Sequence, residues 1–279
     1  MNLPLSIKCA DKLLILSKPV VMGIMNITPD SFYDGGRFNS YEAIVDRVRQ
    51  MTDAGAAIID VGAASTRPGA KLIDSEEELQ RLKPLASILV REFPELIFSV
   101  DTYNSATAEI VVDMGFSIIN DISGGEFDPQ MFDTVARLKV PYVLMHIKGR
   151  PENMQHMPAY NNVVNEVADY FSRKLTLLYE KNISDIILDP GFGFGKSVEH
   201  NYALLKNLNI FKMFNCPVLA GLSRKSMVNK VLNIKADMAI NGTTVLNTLA
   251  LSAGADILRV HDVKEAVECI NLMEVYNQS

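Results

Sequence analysis

Short apolar runs recur along this chain, and eight of them lead into a polar residue of the kind that does chemistry. VVMGIMN stops at Asn26, AIIDVG carries Asp60, IFSVD stops at Asp101 and IIND brings Asn120. VLMH then brings His146, IILDPG brings Asp189, VLAGLSRK brings Lys225, and DILRVH brings Arg259 and His261. The runs are dense in Val, Ile and Leu rather than alternating, the pattern of parallel strands covered on both faces. A helix-length segment separates each run from the next. Eight strand-then-helix units predict an α/β fold of the (β/α)8 TIM-barrel type, in which active sites form at the C-terminal ends of the strands.

The segments between the runs carry helical spacing. Ile44, Val45, Val48 and Met51 mark one face of the first helix. Ser75 with Glu78, and Asp262 with Glu265, have the spacing of helix-opening capping boxes. Three joints share one layout, Gly55 to Asp60, Gly115 to Asn120 and Gly254 to Arg259. In each, a glycine ends a helix in the left-handed region and a short apolar segment leads to a polar strand end. Before the first barrel strand, SIKCADKLLILSKP alternates weakly about a turn at Ala10 and Asp11 and predicts a β-hairpin.

Composition narrows the class. At 279 residues, the chain suits one barrel domain spanning 1–279, with no linker or low-complexity tract. Hydrophobic residues make up 48% and charged residues 22%, enough apolar material for one large core. The 27 Lys and Arg against 33 Asp and Glu leave a net charge of −6, and no basic cluster suggests a nucleic-acid surface. An anionic substrate remains compatible with a local cationic pocket. Cys9, Cys216 and Cys269 lack metal-ligand spacing and read as reduced thiols of a cytoplasmic protein. The first residues lack a signal-peptide core, and no uncharged apolar stretch is long enough to cross a bilayer.

Several loops carry candidate chemistry. Met22 to Phe38 ends a strand at Asn26 and continues as a polar loop with Asp30, Asp34, Gly35 and Gly36, which reads either as a lid or as a surface connection. In DVGAASTRPGA, Arg67 suits a carboxylate clamp or a solvent-facing arginine equally. Asp101, Asn120 and Asp189 at successive strand ends suit a heterocycle, because one carboxylate can accept two parallel N–H donors while an amide both donates and accepts. GFGFGK from Gly191 to Lys196 fits neither phosphate-binding fingerprint, and Phe192 and Phe194 could instead wall a flat substrate. Lys225 suits a hydrogen bond to a ring carbonyl or a Schiff base. Arg259 and His261, two apart on one strand, share a face near the fold's common phosphate site. Asn26 on the neighbouring strand could give one oxygen to Mg²⁺. His146 ends a strand, His156 sits in a polar turn, and His200 at a helix start reads as a cap.

Taken in order, MGIMNITPDSFYDGG, STRPGA, DPGFGFGK, GLSRKS and RVHD resemble the motifs of the bacterial dihydropteroate synthase family, from about Pro19 to Val263. The resemblance implies a cytoplasmic, usually homodimeric transferase of folate biosynthesis and a target of sulfonamides. It would join 6-hydroxymethyl-7,8-dihydropterin diphosphate to 4-aminobenzoate with Mg²⁺, releasing 7,8-dihydropteroate and pyrophosphate. It would place Asp101, Asn120, Asp189 and Lys225 at the pterin, Met145 and Gly221 among the substrate-binding residues, and Asn26, Arg259 and His261 at diphosphate and metal. Thr66, Arg67, Pro68, Phe194 and Ser226 would form the aminobenzoate site, with Asp34 on the closing first loop. Asp101, Asp34, Arg67, Lys225 and Arg259 would be the catalytic set. Two segments depart from the family pattern: Ala63-Ala64 stands where the second loop usually reads Gly-Glu, and IKGRPENMQ after His146 is unusually basic. A pterin-binding corrinoid methyltransferase would share Asp101, Asn120 and Asp189 but would not need STRPGA or GLSRKS. A non-catalytic pterin-binding paralogue and a lysine aldolase are the further alternatives.

Overall fold

A computed structural model describes residues 4–27, 37–64, 72–151, 154 and 159–279, with backbone alone for 37–40. It opens with the expected hairpin: strands β1 (Leu5–Cys9) and β2 (Lys12–Leu16) pair antiparallel around Ala10, which takes φ 56°. The barrel follows. β3 (Val20–Asn26), helix α1 (Arg37–Asp53), β4 (Ile58–Gly62), α2 (Ser75–Glu92), β5 (Ile97–Asp101) and α3 (Ser105–Asp113) form its first part. β6 (Ile118–Asp121), α4 (Met131–Leu138), β7 (Tyr142–Met145), α5 (Val163–Glu180), β8 (Ile186–Asp189) and α6 (Val198–Lys206) continue it. β9 (Leu219–Ala220), α7 (Ser226–Leu232), α8 (Ile240–Ser252), β10 (Ile257–Val260) and α9 (Val263–Gln278) complete it. All barrel pairings are parallel, in the order β8-β7-β6-β5-β4-β3-β10-β9. A parallel bridge from Leu188 to Val218, with Leu188 N donating to the Pro217 carbonyl at 2.8 Å, joins the two ends and closes the barrel.

The side-chain period of two divides each strand between barrel interior and helix-facing exterior. Exterior residues such as Val21, Ile59, Phe98, Val100, Ile119, Leu144, Leu188 and Leu258 pack against the helices in one large cluster. The interior has an apolar floor to which every barrel strand contributes: Met22, Ile58, Ile97, Ile118, Val143, Ile187, Leu219 and Ile257. The hairpin plugs this floor from below with Ile7, Cys9 and Leu16. It is tied down by Lys12 Nζ, which donates to the carbonyls of Pro94 and Leu96, and by Lys8 N, which donates to Asp185.

Two residues further along each strand, the interior changes character to Ile24, Asp60, Ser99, Asn120, Met145, Asp189, Gly221 and Arg259. Chemistry therefore begins one layer above an apolar seal that keeps water from entering below. The glycine joints form as expected, with φ 99° at Gly55, 112° at Gly115 and 91° at Gly254.

The two expected capping boxes do not form. Asp74, not Ser75, caps α2 by accepting from Glu77 N at 2.9 Å, while Glu78 is buried and accepts from Thr102 Oγ1 at 2.7 Å and Asn104 Nδ2 at 2.9 Å. Asp262 precedes α9, but its carboxylate takes the Arg224 guanidinium instead. In both places a stronger tertiary partner captures the side chain that local spacing assigned to the helix end. The Ser197–His200 pair does cap α6 in both directions.

If the hairpin is a plug rather than part of the site, Ile7→Ala should lower stability by about 2–4 kcal/mol through the cavity it leaves. Denaturant unfolding measures the loss, and substrate affinities should be unchanged.

Candidate active site

The centre of the barrel mouth is one connected polar network. Asp60, fully buried on β4, accepts from Arg259 Nε at 2.6 Å and from Asn120 Nδ2 at 2.8 Å, both through Oδ2. Arg259 Nη2 also reaches Asp101 Oδ2 at 2.6 Å, so one guanidinium bridges two buried carboxylates. Four strands, β4, β5, β6 and β10, thus converge on a few ångströms. Burial pushes Asp101 up to about 7; the Arg259 charge opposes the rise and Asp60 adds to it. Burial works against the charge on Arg259, but Asp60 and Asp101 outweigh it and hold the guanidinium above its ordinary range. Asp60 Oδ1 is buried without a partner among the described residues, leaving an acceptor for a ligand or water.

Asp189 and Lys225 form the second half. Asp189 Oδ1 accepts from Gly191 N at 2.7 Å, and burial raises this carboxyl while Lys225 opposes the rise. Lys225 Nζ donates to the Phe192 carbonyl and lies 4.8 Å from the centre of the Phe194 ring. Burial lowers Lys225 to about 8, with Asp189 pulling the other way. Gly221 adds no side chain beside them: a Cβ there would sit 3.6 Å from Lys225 Nζ and 4.0 Å from Asp189 Oδ2, in van der Waals contact with both.

A cavity of about 780 Å³ opens above these groups. Asn26, Asp101, Phe194, Gly221, Lys225, Ser226, Arg259 and His261 all line it. Asn120, Met145 and Asp189 are each under 5% exposed and lie outside its lining. Met145 packs with Tyr103, Ile122, Ile147 and Met154, against which Phe194 also rests. Asp34, Thr66, Arg67, Pro68 and His156 lie outside the described residues.

One residue behaves differently from expectation. Phe192 does not share an aromatic wall with Phe194: its ring is fully buried in the main core, and its backbone carbonyl serves Lys225. Lys196, in the same GFGFGK segment, is caged by backbone carbonyls. Its ammonium is buried among the carbonyls of His146, Gly191 and Phe194 at 2.9–3.2 Å and sits 2.9 Å from His146 Nδ1. Gly191 at φ +69° makes this knot possible, since a Cβ there would collide with the His146 carbonyl. His146, buried and beside Lys196, is held neutral and serves the loop. His261 is also depressed, to about 4, by burial and then by Arg259, which favours the neutral imidazole.

Asp60 was visible in the sequence only as a strand-end polar residue with no role. The signal that could have found it is its register: it shares the inward face of its strand with Ile58 while lying beside Ser99 of β5. An inward aspartate one layer above an apolar floor requires a cation, and Arg259 supplies it.

Comparison with known proteins agrees with this geometry. The pterin binding enzyme family matches residues 22–261. Dihydropteroate synthase of Escherichia coli strain K12 is 44% identical over 261 residues, 93% of this chain and 92% of that one. The crystal structure of Yersinia pestis dihydropteroate synthase in a sulfonamide drug complex superposes with a TM-score of 0.92 at 38% identity, covering 99% of this chain and 100% of that one. Xanthomonas albilineans dihydropteroate synthase with 4-aminobenzoic acid gives 0.91 at 36% identity, covering 99% of each. The chain belongs to the dihydropteroate synthase family of pterin-binding enzymes, transferases of folate biosynthesis.

Proposed function

We propose that the chain condenses 6-hydroxymethyl-7,8-dihydropterin diphosphate with 4-aminobenzoate to give 7,8-dihydropteroate and pyrophosphate. The observation that carries this reading is the convergence of Asp60, Asp101, Asn120 and Arg259 in one network beside Asp189, Lys225 and Gly221. Carboxylates and an amide suit the N–H donors along a pterin edge, and an ammonium suits its ring carbonyl. In this reading the ring lies among Asp101, Asn120, Asp189 and Lys225, against Met145. The diphosphate extends toward Arg259 and His261. Phe194 and Ser226 face the aminobenzoate, a site to which the family resemblance also assigns Thr66, Arg67 and Pro68, with Asp34 assigned to the first loop.

The reaction follows as a dissociative substitution. The bond from the exocyclic methylene carbon to the diphosphate oxygen breaks, and its electron pair leaves with the diphosphate. The electron-rich dihydropterin spreads the resulting positive charge over the ring, where the Asp101 carboxylate faces it. Arg259 and neutral His261 stabilise the leaving group, the electrostatic contribution that often dominates catalysis. The aniline nitrogen of 4-aminobenzoate then forms the new C–N bond and loses a proton that its positive charge has made acidic. No strong general base is needed.

Among the described residues no group of three His, Cys, Asp or Glu side chains is placed to hold a metal. Asn26, exposed at the end of β3 and lining the cavity, offers a single amide oxygen. That donor set fits a Mg²⁺ whose remaining ligands are diphosphate oxygens and water. A bound Mg²⁺ would neutralise charge on the diphosphate.

Homodimer formation is part of the same reading. It is supported by exposed apolar residues on the last two helices, Val245 and Leu249 on α8 and Leu272, Val275 and Tyr276 on α9. A cytoplasmic location is supported by three free, buried cysteines. No helix among the described residues is long and apolar enough to cross a membrane.

Mixing the protein with the pterin diphosphate, 4-aminobenzoate and Mg²⁺ should yield 7,8-dihydropteroate, and Asp101→Asn should lower kcat by about 10²-fold. Absence of product with the intact chain, or wild-type turnover in the variant, contradicts this assignment. The pH profile gives a second check. With Asp101 raised to about 7 and Lys225 lowered to about 8, kcat/KM should rise as Asp101 ionises and fall as Lys225 loses its proton. Asp101→Asn should remove the rise and keep the fall. A profile flat from pH 6 to 9 would show that neither group's charge matters.

A further inference from the structure

Beside the expected diphosphate groups stands a buried hydroxyl to which no role has been given. Ser223, 5% exposed in the segment after β9, touches His261 twice. Its Oγ accepts from the His261 backbone N–H at 3.2 Å and lies 3.0 Å from His261 Nδ1. The backbone amide can only donate, so one lone pair of Oγ is committed to it. The hydroxyl proton then needs an acceptor, and Nδ1 is the only other partner of Oγ among the described residues. Were Nδ1 to carry the ring proton instead, two donors would point at Oγ and the buried hydroxyl proton would find no protein acceptor.

The arrangement that satisfies every group therefore places the ring proton on Nε2. The bond made by one ring nitrogen decides which tautomer the other presents. His261 lines the cavity, and Nε2 has no partner among the described residues.

We propose that Ser223 is a positioning residue that locks His261 in its Nε2–H tautomer, so that this N–H is offered to the diphosphate of the substrate. Surrounding contacts hold the pair in place. Arg224, next in sequence to Ser223, grips Asp262, next to His261, through Nε at 2.9 Å and Nη2 at 2.6 Å. Arg47 Nη2 donates to the His261 carbonyl at 3.1 Å. The adjacent pairs Ser223–His261 and Arg224–Asp262 thus zip the segment after β9 to the segment after β10, and Arg47 of α1 adds a tie to the His261 backbone.

The proposal rests on the diphosphate reading of the site, and its test separates the two. Ring-nitrogen NMR of the ligand-free protein should show His261 as the Nε2–H tautomer, and Ser223→Ala should convert it to a mixture. By calorimetry, the same variant should bind 6-hydroxymethyl-7,8-dihydropterin diphosphate about tenfold more weakly, the loss expected when one charge-assisted hydrogen bond is misaligned. It should bind 6-hydroxymethyl-7,8-dihydropterin, which lacks the diphosphate, as the wild type does. An unchanged tautomer in the variant, or equal weakening for both ligands, overturns the assignment of Ser223. A tautomer that shifts as expected in a protein that binds neither ligand leaves the role of the hydroxyl standing and removes the substrate reading instead.

Discussion

The site depends on one guanidinium held between two buried carboxylates. Arg259 bonds Asp60 through Nε and Asp101 through Nη2, each at 2.6 Å, and Asp60 also takes Asn120. Charges this deep are tolerated only as part of a bonded set, and removing a single partner from such a set costs about 3–5 kcal/mol. The network therefore fixes more than the arginine. Because Asp60 takes Asn120 Nδ2, the amide is oriented as well, and four strands contribute side chains that cannot rotate independently. With Asp189 and Lys225 added, three carboxylates face two cations. When all are ionised this polar layer carries one negative charge in excess, the sign that the proposed substitution calls for.

The rest of the barrel makes this arrangement possible. The apolar floor and the hairpin beneath it exclude water from below, so the polar layer meets solvent only through its mouth. The knot around Lys196 folds the GFGFG segment into a shape that brings the Phe192 carbonyl and the Phe194 ring to Lys225. Apolar packing sets the height of the site in the barrel, and backbone groups aim its one lysine.

Much of this could be read from the chain. The eight strands were marked by β-branched runs ending in polar residues, and that signal is strong because parallel strands are buried on both faces. The hairpin and the glycine joints followed from turn chemistry that acts over a few residues. What could not be read depended on partners distant in sequence. Ser75 and Glu78 had the spacing of a cap, but Thr102 and Asn104 claimed the glutamate. Asp262 was likewise taken by Arg224, and the carbonyl cage of Lys196 draws on His146, 50 residues away. Asp60 lacked a role for the same reason: its partners lie 60 and 199 residues away. Local rules name the groups available, whereas closure of the barrel decides which of them meet.

The most direct test is a crystal structure of the protein with 6-hydroxymethyl-7,8-dihydropterin diphosphate bound. The account requires the bicyclic ring to lie within hydrogen-bond reach of Asp101, Asn120 and Asp189, with its diphosphate on the Arg259 and His261 side. A ring bound elsewhere, with the Asp60–Arg259–Asp101 bridge intact and the interior unfilled, would contradict it.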